Sequence, residues 1–144
     1  MRLQNKVIVV TGSASGIGQA AAISSAQDGA KVAVVDLNQE GIDNTVEAIQ
    51  NAGGQAQGFC VDIQEEDQVR ALFDKIEDAF DHIDGLIHAA GILEGALTPV
   101  DNFDELTWDR VIDINLKGSF LVSKYAVPLI EKTEQGVIVL ISSV

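Results

Sequence analysis

The sequence predicts an α/β fold built on a doubly wound parallel sheet, and three observations carry that expectation. Short runs that are apolar at consecutive positions, "VIVV" (7–10), "VAVV" (32–35), "GLIHAA" (85–90) and "VIVLI" (137–141), suit strands covered on both faces. Helical patterns alternate with them along the chain, with no linker or low-complexity stretch between. Parallel strands also need crossover connections, and right-handed crossovers put helices on both faces of a sheet.

Each element follows in order. The first strand (7–10) leads through a glycine-rich turn into a helix over 17–28. The second strand (32–35) ends at Asp36, and Asn38 is placed to cap a helix over 39–52, with Ile42, Val46 and Ile49 on one face and Gly53 as its stop. "QAQGFCV" (55–61) is more polar than the other strands, as suits an edge. A helix over 64–80 gathers Val69, Leu72, Phe73, Ile76 and Phe80 on one face. After the fourth strand, Asp104 can cap a long helical segment that runs to about residue 131 and carries Pro128 near its end. The fifth strand (137–141) has the composition of a central strand, yet no covering element follows it within these residues. An apolar edge left bare invites association, so the sequence looks cut inside its domain.

Residues 1–144 therefore read as one domain, a length at which compact chains bury roughly 68–70% of their unfolded surface. Nine Lys plus Arg against 22 Asp plus Glu give a net charge of −13, which repels nucleic-acid backbones and anionic lipid. No apolar run approaches the roughly 18 residues that cross a bilayer, and the N-terminal stretch lacks the features of a secretory signal. A cytoplasmic protein with a small-molecule partner is expected, without nucleic acid or membrane. The single cysteine, Cys60, lies between Phe59 and Val61 and is expected as a buried, inert thiol. No His, Cys and carboxylate set has metal-ligand spacing, so no metal is expected.

The turn "TGSASGIG" (11–18) carries the chemistry. Glycines at 12, 16 and 18 permit a tight turn and close backbone approach, so that a pyrophosphate could sit on the free amides of the following helix. Its spacing is neither G-x-G-x-x-G nor a P-loop, and Ala14 stands where a hydrolase elbow needs its serine. Alone, such a turn is compatible with a purely structural role.

Thr-Gly-x-x-x-Gly-x-Gly at this place resembles the short-chain dehydrogenase/reductase family, whose further motifs follow in order. Asp36 ends the second strand, "VDI" (61–63) follows the third, "HAAG" (88–91) follows the fourth, "NLKG" (115–118) lies in the long helix, and "ISSV" (141–144) closes the fifth strand. The resemblance covers the whole chain. It implies a Rossmann-type sheet in the order 3-2-1-4-5 and an NAD-dependent oxidoreductase acting on a carbonyl or alcohol, the parent enzyme being a homodimer or homotetramer. It places Gly12, Gly16, Ile17 and Gly18 around the pyrophosphate, Asp62 on the adenine amino group, and Ala90 and Gly91 beside a ribose; Ile63 and Ala89 complete the cofactor set. Asp36 would accept the adenosine ribose hydroxyls, while Ser15 and Leu37 stand where NADP-using members often carry a cation. NADP is thus the less favoured cofactor. Asn115 would occupy a helix kink and hold a relay water through its carbonyl, and Ser143 would hydrogen-bond the substrate oxygen.

His88 departs from the family's usual asparagine and is expected to be a packed, hydrogen-bonded substitute. His82 is expected at the surface, and Trp108 and Tyr125 in the core or on an oligomer face. The family's Tyr-x-x-x-Lys pair has no counterpart, for the residue four beyond Tyr125 is Leu129, and Tyr125 lies roughly 15 Å of helical rise from Asn115. These residues alone are therefore expected to be inactive. The other readings are a naturally short nucleotide-binding or regulatory module completed by a partner chain, and a structural interaction domain with a vestigial nucleotide cleft.

Overall fold

The computed structural model describes residues 1–142. Five parallel strands, β1 (Val7–Thr11), β2 (Lys31–Asp36), β3 (Gln55–Cys60), β4 (Gly85–His88) and β5 (Val137–Leu140), lie in the order β3-β2-β1-β4-β5. Register is continuous across the middle of the sheet, with Val9 opposite Ala33 and Leu86, and Ile138 opposite Leu86 on the far side. The order reverses between β1 and β4, and at such a point a crevice opens beyond the strand ends.

Two apolar layers clamp the sheet. On one face α1 (Gly16–Gln27) and α2 (Gln39–Asn51) cover Ile8, Val10, Val32 and Val34 with Ala22, Ala26, Ile42 and Ile49. On the other, α3 (Glu66–Phe80) and α5 (Gly118–Ile130) cover Val9, Val35 and Leu86 with Leu72, Phe73, Ile76 and Leu121. The alternation within β1, β2 and β4 therefore divides residues between two cores, which is why these runs are apolar at consecutive positions. The small buried residues of α1 let that helix lie close beneath the glycine turn.

The expected caps are present: Asn38 accepts the Gly41 amide at 3.1 Å and Asp104 accepts the Thr107 amide at 3.0 Å. Gly53 takes φ +82° just beyond α2, a left-handed stop that favours glycine. The helix irregularity expected at Asn115 is present: α4 (Glu105–Val111) passes into a π-helical stretch (Ile112–Lys117) before α5 begins. Two expectations need correction. The third helix starts at Glu66 rather than residue 64, because the Asp62 carboxylate accepts the Gln64 amide at 3.0 Å and holds a turn there. Cys60 is exposed, not buried, because β3 is an edge strand and the alternation that buries Phe59 turns Cys60 outward, its thiol donating to the Leu37 carbonyl at 3.3 Å.

β5 pairs with β4 alone among the described strands, and Val137, Val139, Leu140 and Ile141 remain exposed along it. No helix among the described residues is long and apolar enough to cross a membrane.

Candidate cofactor cleft

A cleft of about 400 Å³ opens at the C-terminal ends of β1, β2 and β4. Its floor is the glycine turn. Gly12 adopts φ +67°, and a Cβ built there would stand 2.6 Å from the Ala90 nitrogen, so only glycine lets the β1 and β4 tips meet. A Cβ on Gly18 would strike the Gly12 carbonyl, which fixes how closely α1 approaches the turn. Gly16 is needed for a different reason: its φ of +55° starts the helix, although a Cβ would meet nothing within 4 Å.

Ser15 precedes α1 in an extended conformation and its side chain caps nothing, so the first-turn amides at Gly16, Ile17 and Gly18 keep their orphan N–H groups. The first turn carries no acidic residue. Free amides at the positive end of a helix dipole, unopposed by a carboxylate, fit a diphosphate.

Around this floor the walls are polar on one side and apolar on the other. Asp36 and Leu37 bound the cleft at the tip of β2, and Asp62 and Ile63 bound it beyond β3. The Asp62 carboxylate is engaged with Gln64, accepting its side-chain amide at 3.2 Å as well as its backbone N–H. Ala89, Ala90 and Gly91 form the wall beyond β4. The twelve residues proposed from sequence for the cofactor thus all face one cleft.

Asn115 does not line the cleft; it braces it. Its side-chain amide accepts the Ile92 amide at 2.8 Å and donates to the Ile92 carbonyl at 2.9 Å, closing a two-bond clamp from the π-helical stretch to the segment after β4. Its own carbonyl accepts the Ser119 hydroxyl at 2.6 Å. Ser143, the expected substrate contact, lies outside the described residues.

Sequence reasoning passed over Gln64 and Ile114 and gave no role to Thr11 of the quoted turn, although all three line the cleft. Thr11 is fully buried, and its hydroxyl oxygen stands 2.7 Å from His88 Nδ1 and accepts the Ala90 amide at 3.3 Å. His88 is packed and hydrogen-bonded as expected, and burial holds its pKa below the usual histidine value. The position of Thr11 just before the first glycine was the available signal. Ile92, just after the Gly91 wall, also lines the cleft.

Tyr125 and Trp108 face elsewhere. Trp108 is exposed beside Val100 and Phe103, and the Tyr125 hydroxyl donates to Glu66 at 2.8 Å on the outer side of α3 and α5. That bond raises the Tyr125 pKa above the ordinary phenol value, the opposite of what a proton donor to an alkoxide needs.

Comparison with known proteins agrees with this geometry. The family model described as short chain dehydrogenase matches residues 6–144. This chain belongs to that family. It is 46% identical over 132 residues to an uncharacterised oxidoreductase of Bacillus subtilis, covering 89% of this chain and 46% of that protein. It is 38% identical over 144 residues to a 3-oxoacyl-[acyl-carrier-protein] reductase of Thermotoga maritima, covering 100% of this chain and 58% of the relative. Among solved structures, a short-chain dehydrogenase of Shigella flexneri complexed with NADP superposes with a TM-score of 0.92 at 31% identity, covering 99% of this chain and 61% of that one. The chain spans about half the length of the relatives it matches.

Proposed function

We propose that this chain is the cofactor-binding part of an NAD-dependent oxidoreductase that exchanges a hydride with a carbonyl or alcohol substrate. Family membership supports oxidoreductase chemistry over a freestanding regulatory module. The observation that carries the cofactor preference is the Asp36 carboxylate at the rim of the cleft, with Ser15 and Leu37, neither of them a cation, beside it. A 2′-phosphate of about −1.5 to −2 charge would meet that carboxylate at close range. At an effective dielectric near 20, unit charges about 4 Å apart repel by about 4 kcal/mol before screening.

A nicotinamide dinucleotide supplies or accepts the hydride. The chain's own residues bind and orient: the amides of Gly16, Ile17 and Gly18 hold the diphosphate, Asp36 meets the adenosine ribose, and Asp62 meets the adenine. Ala90 and Gly91, braced through Ile92 by Asn115, flank a ribose of the cofactor. Ser143 donates a hydrogen bond toward the substrate oxygen. The sole tyrosine is committed to Glu66, so residues 1–144 alone are proposed to bind the dinucleotide without turning a substrate over. The parent enzyme is proposed to be a cytoplasmic homodimer or homotetramer.

Titration of the chain with NAD and NADP tests this reading. Tighter binding of NAD is expected, and equal or tighter binding of NADP, as in the cofactor of the Shigella relative, would overturn the preference. NADH oxidation by residues 1–144 across a panel of carbonyl compounds is expected to stay at background.

A further inference from the structure

Asp36 is already occupied on the protein side. Its Oδ2 accepts the Ala14 amide at 3.0 Å, while Oδ1 accepts the amides of Leu37 at 2.8 Å and Asn38 at 3.0 Å. Ala14 belongs to the glycine turn, and Leu37 and Asn38 to the turn between β2 and α2. One carboxylate therefore ties together two segments 22 residues apart that bound the same cleft. An ionised carboxylate offers about four lone-pair directions, so three amides leave about one for a sugar hydroxyl.

The back of the glycine turn is held by the same neighbourhood. The buried Thr45 hydroxyl donates to the Ser13 carbonyl at 2.9 Å, and the Gln19 side chain donates to Thr45 at 2.9 Å. Gly41 lets α2 come so near that an added Cβ would stand 2.5 Å from the Ala14 Cβ. On the cleft side, Asp36 is the side chain that fixes the Ala14 amide, two residues before the helix amides begin at Gly16.

Resting on the dinucleotide reading above, we infer that Asp36 is a positioning residue for the glycine turn as well as the group that meets the ribose. Cofactor choice and the grip on the diphosphate are then coupled through one side chain. Removing the carboxylate frees the Ala14 amide and lets the amides at Gly16, Ile17 and Gly18 drift, so the diphosphate is held more weakly. A residue that only read the ribose would behave differently: its neutral replacement would relieve repulsion of a 2′-phosphate and leave the grip on the diphosphate unchanged.

Asp36→Asn separates the two. It keeps the size and can keep one oxygen on Leu37 and Asn38, but it sets a side-chain N–H₂ against the Ala14 N–H. In the ligand-free chain, hydrogen exchange at the Ala14 amide should rise by about tenfold or more, the loss of one charge-assisted bond, with the global melt little changed. Titration should show ADP weakened about tenfold more than adenosine. Unchanged Ala14 exchange, or equal losses for adenosine and ADP, would overturn the inference.

Thr45→Val provides a second variant, since Thr45 is buried behind the turn and outside the cleft lining. It should weaken ADP while leaving the NAD to NADP ratio as it was; a changed ratio would count against coupling through Asp36. If the wild-type chain bound neither dinucleotide nor ADP, the cofactor reading would fail. The Ala14 exchange in Asp36→Asn would still decide the positioning role.

Discussion

Thr11 and His88 meet side by side at the tips of β1 and β4, with Thr11 Oγ1 2.7 Å from His88 Nδ1, both side chains almost wholly buried. The Thr11 oxygen also accepts the Ala90 amide. The other ring nitrogen, Nε2, is buried and has no hydrogen-bond partner among the described residues. Protonating this ring would put a charge in a site that already disfavours it.

Burial holds the His88 pKa below its unfolded value, so the neutral ring stabilises the fold fully above the unfolded value near 6.5. As pH falls through that value toward the lower folded one, the unfolded chain binds the proton first and stability is lost, on the order of 1 kcal/mol. Denaturant melts at pH 7.5 and 5.5 should show this loss in the wild type and a smaller one in His88→Asn. An equal drop in both would assign the acid sensitivity to other groups.

Asp84 is the second acid-sensitive point. Burial pushes its carboxyl up, but bonds from the Lys6 ammonium at 2.9 Å and the Val7 amide at 2.8 Å, with His82 nearby, hold it net below the usual carboxylate range. A depressed folded pKa gives stability that is present above the unfolded value near 3.9 and is lost as pH falls through it. Asp84→Ala should cost about 1–3 kcal/mol at pH 7, because the buried Val7 amide loses its side-chain acceptor at the start of β1. The penalty should shrink toward pH 3, and urea midpoints across that range measure it.

These contacts mark where sequence legibility ended. The apolar runs of β1, β2 and β4 read correctly as strands because each lies between two cores, and Asn38, Gly53 and Asp104 read correctly as helix boundaries because capping is local. The helix kink expected at Asn115 was a sign of the irregularity. Its extent was hidden because the Asn115 clamp on Ile92 is a contact across 23 residues. Cys60 misled because its apolar neighbours alternate across an edge strand, and Thr11 was missed because its partners come from β4.

Asn115 can be tested apart from any relay water. Asn115→Ala removes both bonds to Ile92 and should loosen the wall at Gly91, weakening dinucleotide binding by up to about thirtyfold, at roughly 1 kcal/mol for each of the two lost bonds. Asn115→Asp keeps an acceptor for the Ile92 amide but sets an oxygen against the Ile92 carbonyl, so it should do no better than alanine. Full affinity in Asn115→Asp would show that the clamp does not brace the cofactor wall.

The last prediction concerns β5. Val137, Val139, Leu140 and Ile141 are exposed by 57%, 43%, 52% and 44%, on a strand whose outer edge no described strand pairs. Apolar side chains along a free edge offer both backbone partners and dry surface to another molecule, and natural edges usually carry a lysine or a bulge to prevent that pairing. The net charge of −13 opposes association at low salt, so self-association of residues 1–144 should grow as salt screens it. Sedimentation at 20 mM and 500 mM salt, with concentration varied at each, should show larger species at high salt and strong binding of a hydrophobic dye. Val139→Lys, a charge placed on the exposed edge, should reduce both effects while leaving the far-UV spectrum intact. A monomer at high salt and high concentration would mean that the β5 edge is not sticky.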